Sequence, residues 1–133
     1  MNKVVLDASA ILAVFFLEEG RQVVEPVLFG ANLSAVNYCE VLKKAMEMRG
    51  SIRQVRYFLE RQSINVVPFD ASQGLLAASI LPQTSALGLS FEDRACLSLG
   101  MKLQCKVFTA EQRMGDTGLD VKVKLIRKRT TPV

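Results

Sequence analysis

Hydrophobic and polar positions follow two patterns along this chain, and these predict short strands and longer helices in turn. Short apolar runs rich in β-branched residues predict buried strands, and apolar residues at every third or fourth position predict helices. The predicted strands are Lys3–Leu6, Asn32–Ala35, Asn65–Phe69, Lys106–Thr109 and Val121–Ile126. The predicted helices are Ala8–Leu17, Arg21–Phe29, Val36–Arg49, Ile52–Gln62, Ala71–Leu81, Ser90–Leu103 and the short Ala110–Met114, and Pro82–Leu89 is predicted to be irregular.

The alternation of these elements predicts an α/β fold. Strands joined by crossover helices form a largely parallel sheet with helices on both faces. The last strand alternates polar and apolar residues along VKVKLI, which is typical of the edge of a sheet. The length of 133 residues favours one domain over residues 1–133, and the sequence contains no repeat and no linker.

The spacing of apolar residues also predicts which faces of two helices are buried. In Val36–Arg49 the predicted inner face consists of Val36, Cys39, Leu42, Ala45 and Met46. In the next helix it consists of Ile52, Val55 and Leu59. All three cysteines, Cys39, Cys96 and Cys105, lie in apolar stretches, so we expect reduced, buried thiols in a cytoplasmic protein.

Composition excludes several classes of function. The chain contains no histidine, which rules out Ser-His-Asp and Cys-His hydrolases and histidine-ligated zinc or iron sites. Lys and Arg total 17 against 13 Asp and Glu, and this net charge of +4 permits a polyanionic partner without requiring one. The longest apolar run, Ala8–Leu17, is too short to span a bilayer, so we expect no membrane segment.

Four carboxylates follow predicted strands or begin the helices after them: Asp7, Glu40, Asp93 and Glu111. In parallel sheets, ligands bind outside the carboxyl ends of the strands, so we expect these side chains at one rim. Each also has a structural explanation. Asp7 is in position to cap the helix that follows it, and Glu40 is in position to form an ion pair with Lys44. Asp93 and Ser90 have the spacing of a capping box, and the charge of Glu111 would complement the dipole of the helix that follows.

A shared rim makes the carboxylates electrostatically costly to one another. Two like charges about 4 Å apart repel by ~4 kcal/mol at an effective dielectric constant near 20. Carboxylates gathered without histidine therefore take up protons, recruit Lys or Arg, or bind a cation. Hard divalent cations prefer oxygen ligands, and a metal-activated water suits the cleavage of phosphodiesters.

Four segments of the chain resemble the signatures of PIN-domain ribonucleases, above all the VapC-type toxins of toxin–antitoxin pairs. They are KVVLDASAIL (Lys3–Leu12), SAVNYCEV (Ser34–Val41), LSFEDRACLSL (Leu89–Leu99) and VFTAE (Val107–Glu111). The resemblance implies a three-layer α/β/α PIN-like fold with about five strands. It also implies Mg²⁺- or Mn²⁺-dependent cleavage of RNA, a homodimer and a cognate antitoxin.

The resemblance also assigns residues. Asp7, Glu40 and Asp93 match the acidic metal-site positions of the family, and Ser9, Asn37 and Thr109 match its polar residues near the site. Glu111 stands where the family usually has Asp. Its additional methylene moves the carboxylate farther from the backbone, which leaves weaker catalysis and a shifted metal preference as open alternatives.

Basic residues provide candidates for RNA binding: Arg94, Lys122, Lys124 and Arg127, with Lys128 and Arg129 continuing the C-terminal basic segment. A solvated edge strand protected from aggregation by its charges explains the lysines equally well. Two functions remain as alternatives to a nuclease. One is an inactive PIN-like interaction module, and the other is an aspartyl phosphatase or phosphotransferase, which typically has a second acid where this chain has Ser9.

Overall fold

The computed structural model describes residues 3–128. The strands are β1 (Val4–Leu6), β2 (Asn32–Ser34), β3 (Asn65–Val67), β4 (Lys106–Thr109) and β5 (Val123–Leu125). The α-helices are α1 (Ala8–Phe15), α2 (Arg21–Leu28), α3 (Ala35–Glu47), α4 (Ile52–Arg61), α5 (Ala71–Ser79), α6 (Leu81–Ser85) and α7 (Phe91–Leu103). A 3₁₀-helix, Gln112–Asp116, follows β4. In the part of the chain described, no helix is both long enough and apolar enough to cross a bilayer.

The five strands form one parallel sheet in the order β3-β2-β1-β4-β5. The most apolar strand, β1, lies in the middle of the sheet and is buried along its whole length. The alternating strand β5 lies at an edge, as its sequence predicts. Because all strands run in one direction, their carboxyl ends meet at one rim, and the predicted parallel α/β fold is confirmed.

Helices cover both faces of the sheet. Leu6 points into a core with Ile11 of α1 and Val41 of α3. Its neighbour Val5 faces the opposite way, into a second core with Leu97 of α7. Successive side chains of a strand point to opposite faces, so β1 contributes to both cores and the molecule has three layers.

Two short elements differ from the sequence prediction. The segment Pro82–Leu89 is not wholly irregular, because α6 occupies its first residues. Pro82 lies in the first turn of α6, where its missing N–H has no partner to lose. The predicted helix Ala110–Met114 is a 3₁₀-helix that begins two residues later, after Glu111 has capped it.

The buried face of α3 also differs from the prediction. The helix buries Asn37, Val41 and Ala45, whereas Met46 is exposed. Asn37 faces inward because its amide has hydrogen-bond partners there, which a count of apolar residues cannot detect. In α4, Val55 and Leu59 are buried as predicted, but Ile52 is exposed.

The cysteines occupy three different environments. Cys96 is buried, as expected. Cys39 is exposed and Cys105 is partly exposed, so the expectation of three buried thiols is wrong. The buried face of α3 consists of Asn37, Val41 and Ala45, and Cys39 lies outside this face, so its side chain is exposed to solvent.

Candidate active site

A cavity of about 440 Å³ opens at the carboxyl ends of the strands. Its lining residues are Asp7, Ser9, Glu40, Lys44, Gly88, Ser90, Asp93, Ala110, Glu111 and Arg113. The four carboxylates that the sequence singled out therefore border one cavity, although they come from four separate segments of the chain. This volume is within the usual range for small-ligand sites.

Asp7 follows β1 directly and caps α1. Its Oδ1 accepts hydrogen bonds from the backbone N–H of Ala10 at 2.9 Å and from the hydroxyl of Ser9 at 2.6 Å. Its Oδ2 accepts one from the hydroxyl of Thr109, at the end of the neighbouring strand β4. Ser9 is fixed in turn by the backbone N–H of Ala110 at 2.9 Å. Ser9 and Thr109 thus hold the Asp7 carboxylate from two sides.

Burial has a large effect on the acidity of Asp7. Loss of solvent raises its pKa from the ordinary value of 3.8 to about 6, and the negative charge of Glu40 adds to the increase. The hydrogen bonds from Ser9, Thr109 and Ala10 act in the opposite direction but do not cancel it. Near neutral pH, Asp7 is therefore a desolvated anion that a nearby cation would stabilise.

Glu40 is held on α3 by two partners. The amide Nδ2 of Asn37 donates to Glu40 Oε1 at 3.2 Å and to the backbone carbonyl of Glu92 at 3.1 Å. Lys44 Nζ lies 3.3 Å from Glu40 Oε2, the ion pair that the i, i+4 spacing predicts. Asn37 therefore links Glu40 to the first turn of α7. Among the described residues, its buried Oδ1 has no hydrogen-bond partner.

Asp93 forms the predicted capping box at the start of α7. Its Oδ2 accepts a hydrogen bond from the Ser90 backbone N–H at 2.9 Å, and its own N–H donates to the Ser90 hydroxyl at 3.2 Å. Burial raises the pKa of the Cys96 thiol, and the charges of Asp7, Asp93 and Glu40 raise it further. The charges of Asp7, Asp93 and Glu40 thus all act on the buried thiol of Cys96.

Glu111 is paired with Arg113, a residue that the sequence analysis did not identify. Arg113 Nε donates to Glu111 Oε1 at 2.9 Å, and its Nη2 donates to the same oxygen. The backbone N–H of Arg113 donates to Glu111 Oε2 at 3.1 Å. The hydrogen bonds to Glu111 and the charge of Glu111 raise the pKa of the Arg113 guanidinium above its ordinary value. The E-x-R spacing was the only signal in the sequence for this pair.

The candidate RNA-binding residues that the structure describes do not line the cavity. Arg94 is partly buried beside Asp93, and Lys122 and Lys124 are exposed at the edge of the sheet. Arg127 donates a hydrogen bond to the backbone carbonyl of Glu19 at 2.9 Å. Lys128 is exposed, and Arg129 lies outside the described residues. Among the residues that the structure describes, the cations at the cavity are Lys44 and Arg113.

The donor set suits a divalent cation in its chemistry. Within residues 3–128, no three acidic or thiol side chains stand close enough together to surround a metal ion as they are placed. Each carboxylate is instead engaged by its own partner. Mg²⁺ commonly uses only one or two carboxylates and keeps several waters, so Asp7 with Glu40 or Asp93 is a sufficient set. The desolvated charge of Asp7 supports that fit.

Comparisons with known proteins give a family and a set of similar folds. The PIN domain family model matches residues 4–118. A toxin–antitoxin complex from Klebsiella pneumoniae contains a chain with 15% identity and a TM-score of 0.76, covering 96% of this chain and 100% of that one. For DNA-bound VapBC from Salmonella typhimurium, the identity is 14% and the TM-score 0.71, with 96% and 100% coverage.

A third similar structure is FitAcB from Neisseria gonorrhoeae, with 19% identity and a TM-score of 0.67, covering 92% of this chain and 97% of that one. No curated protein sequence matches this chain. At these identities the solved structures establish a shared fold and nothing more specific.

Proposed function

This chain belongs to the PIN domain family, and we propose that it is a divalent-metal-dependent endoribonuclease that acts as the toxin of a toxin–antitoxin pair. The observation that carries the proposal is the cavity shared by Asp7, Glu40 and Asp93. The fold shared with chains of toxin–antitoxin complexes supports the toxin assignment.

In the proposed reaction, at least two of the carboxylates of Asp7, Glu40 and Asp93 would hold Mg²⁺ or Mn²⁺. A bound ion of this kind supplies a water of lowered pKa and stabilises the charge on the leaving oxygen. Ser9 and Thr109 fix both oxygens of Asp7, so this carboxylate keeps its position while a phosphate enters. Asn37 gives Glu40 the same kind of support from within α3. Such preorganisation supplies much of the catalytic effect in charged sites.

Among the described residues that line the cavity there is no cysteine, and the hydroxyl groups there belong to Ser9 and Ser90. Ser9, the hydroxyl beside Asp7, already donates to that carboxylate. The chain has no histidine to remove a proton from a hydroxyl. Direct attack by water on the phosphodiester is therefore the chemistry that suits these residues.

The proposal includes the partners that the toxin assignment brings. These are an RNA substrate, a cognate antitoxin protein and a second copy of the chain in a homodimer, acting in the cytoplasm. The excess of Lys and Arg, a net charge of +4, favours association with an RNA.

The direct test is RNA cleavage by the purified protein with Mg²⁺ or Mn²⁺. We expect cleavage to be lost with EDTA and in Asp7→Asn and Asp93→Asn. Asp120→Asn is the matched control, because Asp120 is exposed just before β5, at the opposite rim of the sheet. Cleavage that survives both cavity substitutions contradicts the proposed site, and metal binding without cleavage of any RNA class favours a non-catalytic interaction module.

A further inference from the structure

We propose that Arg113 binds the phosphate of the RNA in this cavity and that Glu111 is its positioning residue rather than a metal ligand. The inference rests on the proposed nuclease function and assigns two residues within the same site. It starts from a guanidinium placed among carboxylates, at a cavity where the other described cation, Lys44, is paired with Glu40.

Both oxygens of Glu111 are engaged by the same residue. Oε1 accepts hydrogen bonds from the guanidinium of Arg113, and Oε2 accepts one from its backbone N–H. The second contact also caps the 3₁₀-helix Gln112–Asp116. A metal bound by Glu111 would have to displace a charge-assisted pair, which is among the stronger hydrogen-bonded contacts in proteins.

The loop before α7 contacts the guanidinium of Arg113 through its backbone. Arg113 Nη1 donates to the backbone carbonyl of Leu87 at 3.0 Å. Gly88 follows with a φ of +71°, and a Cβ at that position would lie only 2.9 Å from Nη1. Glycine adopts this backbone conformation without strain, and a larger residue at position 88 would displace the guanidinium from its present place. Arg113 is therefore fixed by contacts from both sides.

Arg113 retains donors for a ligand. A guanidinium has five N–H groups, and the contacts with Glu111 and Leu87 use three of them. The remaining two have no acceptor among the described residues, and 43% of the side chain is exposed. A planar guanidinium with free N–H groups is the side chain best suited to phosphate. Its charge also lowers the barrier to an anion entering a cavity with four carboxylates.

The presence of glutamate at position 111 fits this assignment. The longer side chain folds back onto Arg113, two residues along, and contacts both the backbone and the guanidinium of that residue. Aspartate would be one methylene shorter. The unusual residue at this position and the arginine that follows it thus act as one unit.

The experiment separates RNA binding from metal binding. RNA affinity is measured by fluorescence anisotropy with a short fluorescein-labelled single-stranded RNA, with Ca²⁺ in place of Mg²⁺. Mn²⁺ binding is measured in the absence of RNA by electron paramagnetic resonance. The proteins are the wild type, Arg113→Gln, Arg113→Lys and Glu111→Gln. The matched control is Arg61→Gln, which removes an exposed positive charge at the end of α4, next to the amino end of β3.

We expect Arg113→Gln to weaken RNA binding about tenfold or more. The slope of log affinity against log salt should become shallower by about 0.7, the value for one lost contact with a single-stranded phosphate. Arg113→Lys should fall between, because it keeps the charge but loses the planar fork. Glu111→Gln should weaken RNA binding while it keeps the wild-type Mn²⁺ stoichiometry, and Arg61→Gln should change neither.

Two results would overturn the assignment: unchanged RNA affinity in Arg113→Gln, or loss of Mn²⁺ binding in Glu111→Gln. If Arg113→Gln does not fold, as judged by circular dichroism, Arg113→Lys decides, since an unchanged RNA affinity in that variant overturns the assignment equally. Failure of the proposed function gives a different result, namely Asp7→Asn that still binds Mn²⁺ and cleaves RNA.

Discussion

Asp7 has two roles that are set by its position directly after β1. Its side chain caps α1, and the same carboxylate carries a buried charge at the cavity. The capping and catalytic interpretations of Asp7 in the sequence are therefore compatible. The short side chain of aspartate explains both roles, because it keeps the carboxylate close to the backbone of α1 and to the hydroxyl of Thr109 in β4.

The raised pKa of Asp7 predicts how stability depends on pH. Its pKa is about 6 in the folded protein against an ordinary value of 3.8, so the folded state binds more protons between these pH values. The free energy of unfolding of the metal-free protein therefore falls as pH rises from about 4 to about 6. From this group alone it is lower by about 3 kcal/mol at pH 7.

Asp7→Asn tests this in urea unfolding with EDTA. Asparagine can still cap the helix and carries no charge. We expect the variant to be more stable than the wild type at pH 7.5, and this advantage to shrink toward pH 4.5. A difference between the two proteins that is the same at both pH values contradicts the assignment of a raised pKa to Asp7.

The parallel sheet order explains why some of the site was predictable. Strand ends can be read from apolar runs, and parallel strands bring their carboxyl ends together, so Asp7, Glu40, Asp93 and Glu111 reach one cavity. Arg113 was not predictable in this way. Part of its environment comes from Leu87, which precedes it by 26 residues in the chain.

The link between α3 and α7 shows the limit of periodicity at the scale of the element. Apolar spacing correctly placed Ala45 on the inner face of α3, but it also placed Cys39 and Met46 there, which are exposed. It missed Asn37, which is buried and hydrogen-bonded. The segment SAVNYCEV resembles a family signature, and this resemblance marked Asn37 as a site residue. It did not predict the hydrogen bond from Asn37 in α3 to Glu92 in α7.

Asn37→Ala should affect stability and metal binding together. The substitution removes the hydrogen bonds to Glu40 and to the Glu92 carbonyl, and we expect it to cost about 1–3 kcal/mol of unfolding free energy. Because Glu40 loses its fixed orientation, Mn²⁺ affinity should fall as well.

The matched control is Asn65→Ala. Asn65 donates to the side chain of Asn32 at 2.9 Å, at the start of β3 and away from the cavity. It should lose stability in urea unfolding but keep its Mn²⁺ affinity. Equal metal affinity in Asn37→Ala and the wild type would show that Asn37 has no part in positioning Glu40.

At the scale of the whole molecule, charge is separated between the cavity and the sheet edge. The carboxylates gather at the carboxyl ends of the strands, whereas Lys124 lies in β5 and Lys122 directly precedes it. Composition alone indicated a mild positive charge but not its distribution. Both interpretations of these lysines from the sequence fit this exposed position, namely protection of the edge from pairing with another chain and contact with an RNA.

The central claim is that at least two of the carboxylates of Asp7, Glu40 and Asp93 together hold a divalent ion. The most direct measurement is an anomalous difference map from crystals of the wild-type protein grown with Mn²⁺. We predict a peak in the cavity at about 2.1 Å from oxygens of at least two of these carboxylates. A well-ordered cavity without a peak, in a protein that cleaves RNA with the same Mn²⁺, would contradict the account.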